Sequence, residues 1–420
     1  MRLGLVTGEF PPMQGGVGDY THELAKALSA LGVEVHIITD VRCQPPAESL
    51  HASRITLHAR IRRWSFPALL KIRSIAQSLN LSILNLQYQA AAYDLSAPIH
   101  FLPRVAGIKT VVTFHDLRIP YLFPKAGRLR PAAVTYLART ASGVIATDPA
   151  DEAELRRRGV AHVTQIPIGS NIAPTPPPGY DRARWRERIG VTAKDFLIGY
   201  FGFLNESKGG DTLISALAIL ANRKARAKLL LIGGRTGTSD AANAAFDAKI
   251  EKMIERYELE ERVIRTGFVT AEEVSAHLLA CDAVVLPYRD GVSFRRGSFM
   301  AALAHGCPVI TTQPATPLPA PSTEPALMVR LSLTMSKGSG LPGFAPAPRS
   351  EAEWAGPGLR DGENVRLVPP EDATAIVLAI SQLLDAPELR ARLGQGAREL
   401  AALFTWDKIA ARTFEFLQAV

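Results

Sequence analysis

Short apolar runs alternate with amphipathic stretches from the start of the chain. Residues Arg2–Thr7 predict a buried strand, and the helix predicted over 19–31 places Leu24, Leu28 and Leu31 on one face before it ends at Gly32. Further strands are predicted in the first half at 33–39, 83–86, Thr110–Phe114, Gly143–Ala146 and 163–166. Buried strands that alternate with helices are typical of a parallel sheet covered on both faces, so we expect an α/β fold.

A proline-rich stretch at residues 173–179 interrupts this alternation. Neither a helix nor a central strand can continue through it, so we place a domain boundary there. The pattern then resumes, with helices predicted at 211–221 and Ala241–Arg256 and strands at 196–203, Ala227–Ile232, 263–268, 283–288 and 308–312. Two such halves leave a cleft between them, and open parallel sheets bind ligands at the carboxyl ends of their strands.

The predicted organisation has four parts. A first domain covers 1–172, a linker and lead-in covers 173–195, a second domain covers 196–403, and a terminal helix covers 404–420. Within the second domain, residues 314–358 are dense in Pro, Ser, Gly and Ala, and we interpret them as an inserted flexible loop with 331–335 as its one plausible strand.

Composition limits the class of protein. With 420 residues, 47% hydrophobic and 21% charged, the chain is neither disordered nor fibrous, and its net charge of +8 favours an anionic partner. Nucleotide, lipid headgroup and nucleic acid all fit that charge. Cys43, Cys281 and Cys307 are too few for a disulfide framework, and neither a signal-peptide pattern nor an apolar span occurs. We therefore expect a cytoplasmic protein with buried cysteines.

The first candidate site is the glycine-rich turn 15–18, which joins a strand to a helix. Backbone N–H groups of such a turn can approach an anion at the helix N-terminus. The spacing is not G-x-G-x-x-G, and neither a P-loop lysine nor a ribose-binding acid accompanies it, so dehydrogenase and P-loop interpretations are disfavoured. A purely structural tight turn is the alternative.

Two further candidates lie in the second half. Lys208 precedes a helix, where its ammonium and the helix dipole could hold a diphosphate; the alternative is a solvated surface lysine. Arg295, Arg296 and Ser298 stand at another helix start after a strand and form a candidate anion cradle. The alternative there is a basic surface loop capped by Ser298.

Taken in this order, these elements resemble the retaining glycosyltransferases of family 4, which have the two-domain GT-B fold. The resemblance covers nearly the whole chain and includes a terminal helix, starting at 404–406, that crosses back to the first domain. Its other motifs are an opening glycine loop at 11–18, Thr-x-His at 113–115, Ile-Pro-x-Gly at 166–169, a lysine–glycine phosphate loop at 208–209, a nucleobase contact at 267–269, and signatures at 302–310 and 361–364.

The resemblance implies two Rossmann-like domains facing a cleft and a retaining transfer of a hexose from a nucleoside diphosphate sugar to an acceptor hydroxyl. The nucleotide sugar is then a substrate, no cofactor is expected, and the product belongs to glycan, polysaccharide or glycolipid synthesis. No Asp-x-Asp occurs in the chain, so a magnesium-bridged diphosphate is not supported and we expect no metal.

The resemblance also assigns roles to individual residues. His115 and Lys208 become the catalytic candidates, although a lone histidine at a strand end is as often structural. Asp19 and Tyr20 are expected on the acceptor side. The expected donor-binding residues are Gly15, Gly16, Lys208, Phe268, Ser293, Arg295, Arg296, Gly297 and Ser298.

The chain departs from the family pattern at three positions. Phe203 stands where the family usually has a phosphate-loop arginine, and Ser293 and Ala301 stand where it has paired glutamates that hold the donor sugar and the ribose. Arg295 and Arg296 are our candidates for the missing cation. The departures also permit a non-catalytic subunit that binds a nucleotide sugar or a glycan.

Basic residues are concentrated in the first domain. No acidic residue occurs between Glu48 and Asp94, while Arg60, Arg62 and Arg63 lie beside Trp64 and Phe66. This composition fits a membrane-surface patch, and the alternatives are a basic solvated face and a field that attracts a nucleotide. We expect a glycan or lipid-linked acceptor, peripheral contact with the inner face of the membrane, and no nucleic-acid partner.

Overall fold

The structure, a computed structural model, describes residues 1–13, 15–43, 54–117, 129–234, 241–314 and 358–420, with the side chains of 129–130 and 241–243 left out. The first half forms a seven-stranded sheet in the order β3-β2-β1-β4-β5-β6-β7, with all neighbours parallel. Its strands are β1 Arg2–Thr7, β2 Glu34–Asp40, β3 Ile55–Ile61, β4 Ile83–Tyr88, β5 Thr110–Phe114, β6 Gly143–Ala146 and β7 Val163–Gln165.

The second half forms a six-stranded parallel sheet in the order β10-β9-β8-β11-β12-β13. Its strands are β8 Phe196–Phe201, β9 Ala227–Ile232, β10 Val263–Arg265, β11 Ala283–Leu286, β12 Val309–Thr312 and β13 Arg366–Val368. In both sheets the chain starts near the middle, builds to one side and then returns to build the other. The reversal lies between β1 and β4 in the first sheet and between β8 and β11 in the second, and such points open a crevice for ligands.

Helices pack on both faces of each sheet. Most strands are therefore buried on both sides and consist of continuous apolar runs. The helices are α1 Gly16–Ala30, α2 Phe66–Ser78, α3 Leu102–Val105, α4 Leu129–Thr140, α5 Pro149–Arg157, α6 Arg182–Arg188, α7 Gly210–Asn222, α8 Ala241–Arg256, α9 Ala271–Ala280, α10 Gly297–Ala304, α11 Ala373–Asp385, α12 Pro387–Ala401 and α13 Trp406–Ala419. None in the described part of the chain is both long and apolar enough to cross a bilayer.

The last helix, α13, lies against the first half and packs on α1. Trp406 Nε1 donates to the Ser170 carbonyl oxygen at 2.7 Å, and Arg412 Nη2 donates to the Gln165 carbonyl oxygen at 2.9 Å. At the end of the chain, Lys109 Nζ donates to the Val420 backbone oxygen at 2.5 Å. These bonds fix the C-terminus on the sheet from which the chain began.

The structure differs from the sequence-based expectations in several elements. The strands β3 and β13 were not predicted: β3 lies at the sheet edge with mixed burial and β13 has three residues, so neither carries a continuous apolar run. Helix α1 begins at Gly16 rather than at 19. The inserted loop, including 331–335, lies outside the described residues except at its ends. The three cysteines are free and buried, as expected.

Candidate active site

The two halves meet at Arg295, which lies in the loop after β11. Its Nη1 is 3.4 Å from Asp116 Oδ1, just after β5, and 3.5 Å from Asp151 Oδ2 in α5. Only 11% of the Arg295 side chain is exposed. The charge of Arg295 thus faces two carboxylates across the cleft, and its expected role as a cation for the donor stays a prediction.

Lys208 is held by a tight turn at the carboxyl end of β8. Asn205 Oδ1 accepts from the Lys208 backbone N–H at 3.1 Å, and Gly209 follows in the left-handed region with φ 66°. A Cβ at Gly209 would lie 2.0 Å from the Pro287 carbonyl oxygen, so only glycine lets this loop approach the end of β11. The turn directs Lys208 back over Gly202, whose own Cβ position lies 3.1 Å from Lys208 Nζ.

The ammonium of Lys208 has no ion-pair partner among the described residues. Its pKa is lowered to about 8, first by burial and then by the charge of Arg296. A partly buried cation without a counter-ion is unfavourable for the unliganded protein. This arrangement suits a site whose ligand supplies the negative charge.

The start of α10 completes this cradle. Gly297 is its first residue and has open space around it, and the Ser298 Cβ lies 3.9 Å from the Cβ position of Gly202. Ser298 Oγ is 2.7 Å from the Tyr288 hydroxyl oxygen. The structure thus brings Lys208, Gly297 and Ser298 together around the backbone of Gly202, in the geometry of an anion site at a helix N-terminus.

Arg296 borders the same cradle. Its guanidinium carbon lies 4.7 Å from the ring centroid of Tyr288, and the Nη2 group pairs with Asp290. The Arg296 Nε atom is buried and has no hydrogen-bond partner among the described residues. Arg296 therefore adds positive potential beside Lys208.

Two positions where the resembling family has glutamates carry no charge. Ser293 Oγ is buried and has no hydrogen-bond partner among the described residues, and Ala301 is fully buried in α10. Ser293 offers a single hydroxyl and Ala301 offers no polar atom, so neither supplies a carboxylate. The region around the cradle is accordingly more positive than a site with the two glutamates.

Aromatic rings lie beside the glycines that follow β9. Phe268 is 74% exposed, and its neighbour Gly267 forms an isolated antiparallel bridge with Gly233. The Phe203 ring lies 3.6 Å from the Cβ position of Gly234. An exposed ring next to an anion cradle is suited to stack on a nucleobase.

His115 follows β5 and is held by a polar chain inside the first sheet. Its Nε2 is 3.0 Å from Gln87 Oε1, Gln87 Nε2 donates to Asn85 Oδ1, and Thr113 Oγ1 donates to the same oxygen at 3.0 Å. With the Gln87 amide assigned in this orientation, the His115 proton sits on Nε2. Burial lowers the pKa of His115 to about 3, so the ring is neutral at physiological pH.

Asn85 and Gln87 were not predicted as site residues, although the sequence of β4 carries a signal for them. Both are fully buried polar residues in β4, a strand whose other positions are also buried. A buried amide needs partners, so two amides in one interior strand indicate a polar network. That network orients His115.

The glycine-rich turn at α1 serves the protein itself. Glu9 Oε1 accepts from the N–H groups of Val17 at 2.9 Å and Gly18 at 3.2 Å, and a Cβ at Gly15 would lie 2.2 Å from the Glu9 carboxylate. The anion expected at this helix N-terminus is therefore a side chain of this protein. Gly16 is exposed, with nothing within 4 Å of its Cβ position.

The two acceptor-side candidates, Asp19 and Tyr20, differ in their exposure to solvent. Asp19 reaches solvent, and its pKa is raised to about 6 by desolvation and by the charges of Glu9 and Glu23. Tyr20 is only 3% exposed and packs between other aromatic rings. These contacts give Tyr20 a packing role, and its expected contact with an acceptor stays a prediction. No cluster of metal-ligating side chains occurs in the described ranges.

Comparison with known proteins agrees with this architecture. The family model described as Glycosyltransferase Family 4 matches residues 14–173, and the one described as Glycosyl transferases group 1 matches residues 195–329. Among solved structures, sucrose-phosphate synthase from Thermosynechococcus elongatus has a TM-score of 0.71 at 22% identity, covering 100% of this chain and 98% of its own. Anabaena HepE in complex with UDP and glucose has a TM-score of 0.72 at 18% identity, with 100% of both chains covered.

Curated relatives match along most of the chain. The D-inositol 3-phosphate glycosyltransferase of Arthrobacter sp. (strain FB24) is 24% identical over 96% of this chain and 90% of its own. The GDP-mannose-dependent alpha-(1-6)-phosphatidylinositol monomannoside mannosyltransferase of Mycolicibacterium smegmatis is 24% identical over 98% of this chain and 97% of its own. The two parallel-sheet domains define the GT-B fold. The chain belongs to glycosyltransferase family 4.

Proposed function

We propose that this glycosyltransferase transfers a hexose from a nucleoside diphosphate sugar to an acceptor hydroxyl, with retention of anomeric configuration and without a metal ion. The observation that carries the proposal is Lys208. Its ammonium lies 3.1 Å from the Cβ position of Gly202, which in turn lies 3.9 Å from the Cβ of Ser298 in α10. Lys208 is partly buried and has no ion-pair partner among the described residues. A diphosphate supplies the charge that this cradle lacks.

The chemistry follows from that placement. The bond from the sugar C1 to the diphosphate oxygen breaks, and the negative charge that develops on the leaving group lies beside Lys208, Arg296 and the first amides of α10. The acceptor oxygen bonds to C1 on the face that the diphosphate leaves, and its proton passes to a departing phosphate oxygen. Family membership supports this course and hence retention.

His115 contributes as a neutral group. Burial lowers the pKa of His115 to about 3, so the neutral ring exchanges neutral hydrogen bonds with a sugar hydroxyl. Gln87 holds Nε2, which leaves Nδ1 as the acceptor atom of the ring. We therefore assign His115 to donor positioning rather than to charge stabilisation.

The named relatives support the proposed substrates. Two act on an inositol phosphate and on a phosphatidylinositol mannoside, one of them with GDP-mannose, and HepE was solved with UDP and glucose. We propose a glycan or lipid-linked acceptor for this chain and take UDP-, GDP- and ADP-sugars as the donor set to test.

The test has two stages. A matching donor at about 100 times its dissociation constant raises the free energy of unfolding by about 2.7 kcal/mol, which a thermal-shift panel of the three donor classes detects. With the donor that stabilises best, release of free nucleoside diphosphate should depend on acceptor and persist in EDTA, and proton NMR should give a product with the donor's anomeric configuration. Inversion, or loss of turnover in EDTA, contradicts the respective part of the proposal.

A binding subunit without catalysis is the second candidate. Ala301, which is fully buried, and Ser293 favour it, because neither supplies the carboxylate of the family pattern. Under this alternative a donor still stabilises the protein, but no nucleoside diphosphate is released with any acceptor.

A further inference from the structure

Large apolar side chains are exposed side by side on the face of the first sheet covered by α2, α3 and α4. Phe66 is 54% exposed and Leu70, one turn further along α2, is 59% exposed. The ring centroid of Phe66 lies 5.6 Å from that of Phe101, which lies 5.2 Å from that of Tyr136 in α4. We call these four residues the aromatic ridge.

The ridge is not needed to cover the core. Helix α2 buries a separate face, made of Ala68, Leu69, Ile72, Ile75 and Ala76. Scattered exposed apolar side chains are ordinary, but a contiguous group bordered by polar residues marks an interaction surface. Phe66 and Leu70 lie outside that buried face of α2 and are exposed to a partner.

Basic side chains border the ridge. Arg60, Arg62 and Arg63 are exposed at the end of β3 and in the loop that leads into α2. Lys71 Nζ donates to the Arg60 carbonyl oxygen at 2.8 Å, which holds a further cation beside Leu70. The first turn of α2 contains no acid, and no side chain caps its N-terminus. Cations and the positive end of a helix therefore stand together next to exposed rings.

We propose that the aromatic ridge and Arg60, Arg62, Arg63 and Lys71 form a surface that docks on an anionic phospholipid bilayer. The rings and Leu70 enter the headgroup region, and the basic side chains meet lipid phosphates. Charge complementarity selects this partner, since the sequence carries no acid from 49 to 93. The inference goes beyond the transfer reaction, because it concerns where the enzyme works.

The position of the ridge relates it to the cleft. Phe66 follows the carboxyl end of β3, and His115 follows the carboxyl end of β5 in the same parallel sheet. Strand ends of one parallel sheet lie along one edge. A protein docked through the ridge therefore holds the open edge of its cleft beside the membrane, within reach of a lipid-linked acceptor.

Vesicle co-sedimentation of the full chain tests the surface without any donor sugar. We expect binding to vesicles of phosphatidylcholine with about 30% phosphatidylglycerol, little binding to pure phosphatidylcholine, and release as NaCl is raised from about 0.05 to 0.5 M. Failure of wild-type protein to bind the anionic vesicles at low salt overturns the proposal, as does equal binding to both lipids. Because no donor is present, this outcome is independent of whether the transferase proposal holds.

Two variants and a matched control locate the binding. Arg62→Ser/Arg63→Ser should lower the partition coefficient about 30-fold, at about 1 kcal/mol per basic residue, and Phe66→Ser/Leu70→Ser should lower it at least as much. Arg256→Ser/Tyr257→Ser removes an exposed aromatic ring and an arginine from the second domain and should bind like wild type. Equal losses in the control and the test variants overturn the assignment of the surface.

A second copy of the chain is the other occupant that an apolar surface can have. Sedimentation velocity without lipid should give the same monomer coefficient for wild type and Phe66→Ser/Leu70→Ser. A wild-type dimer that the variant abolishes would make the ridge a subunit interface and overturn membrane docking. Equal melting temperatures for all variants show that the substitutions leave the fold intact.

Discussion

The ring of Tyr20 meets the imidazole of His115 edge-on, with centroids 4.6 Å apart and an interplanar angle of 75°. On its other side Tyr20 contacts the ring of Trp406, at 5.2 Å and 62°. Three distant stretches of the chain, in α1, after β5 and at the start of α13, are thereby joined through aromatic rings. The terminal helix α13 therefore supports the position of His115 through the rings of Trp406 and Tyr20.

This contact predicts how Tyr20 responds to substitution. Tyr20→Phe keeps the ring and should leave turnover and the KM for acceptor unchanged, whereas Tyr20→Ala should lower the free energy of unfolding by about 3–5 kcal/mol through the cavity it leaves. Denaturant unfolding and steady-state kinetics measure the two effects. A raised KM for acceptor in Tyr20→Phe would show that the hydroxyl contacts the acceptor after all.

Lys208 should matter for turnover far more than for folding. Lys208→Ala is expected to reduce turnover by about 10²–10³, because this is the usual effect of removing one pre-placed group that stabilises the developing charge. Lys252→Ala, which removes an exposed lysine from α8 of the same domain, is the matched control and should behave like wild type. Unchanged turnover in Lys208→Ala would remove this residue from the phosphate site.

The same lysine predicts a pH effect on the unliganded protein. The pKa of Lys208 is about 8 in the folded state against an ordinary 10.5, so between these values the unfolded chain binds more protons and stability rises with pH. Lys208→Met should remove this rise and, at pH 7, stabilise the unliganded protein by about 1–2 kcal/mol. Unfolding curves of wild type and Lys208→Met at pH 7 and pH 9 measure both effects. If the free energy of unfolding of wild type relative to Lys208→Met falls between pH 7 and pH 9, the lowered pKa of Lys208 is contradicted.

Arg295 should control how the two halves close. Arg295→Ala leaves Asp116 and Asp151 without their shared cation, and the pKa of Asp151, already raised to about 6 chiefly by burial, should rise further because Arg295 lowers it. We expect a larger radius of gyration in small-angle X-ray scattering. The control is Arg182→Ala, whose partner Asp282 lies in the same half at 2.7 Å. Equal scattering profiles for wild type and Arg295→Ala would mean that the contacts of Arg295 with Asp116 and Asp151 do not hold the two halves together.

Some features of the fold and the site could be predicted from the sequence because they depend on residues that are close together in the chain. The strands β1, β5, β6 and β9 were predicted to the residue, since continuous apolar runs bounded by polar or glycine residues define buried strands. Lys208 was predicted beside a helix start for the same reason: it follows a buried strand and precedes a helix. The family resemblance, confirmed by both family matches, also rests on motifs within short segments.

Other features depend on which side chains meet across the fold, and no sequence pattern fixes that. Arg295 and Arg296 are adjacent and alike in the sequence, yet one faces Asp116 and Asp151 across the cleft and the other packs on Tyr288 beside Lys208. Likewise, Glu9 rather than a ligand reaches the N-terminus of α1. The physical reason is that a charge settles with whichever counter-charge or donor the folded chain brings within a few ångströms, and only the tertiary structure decides that partner.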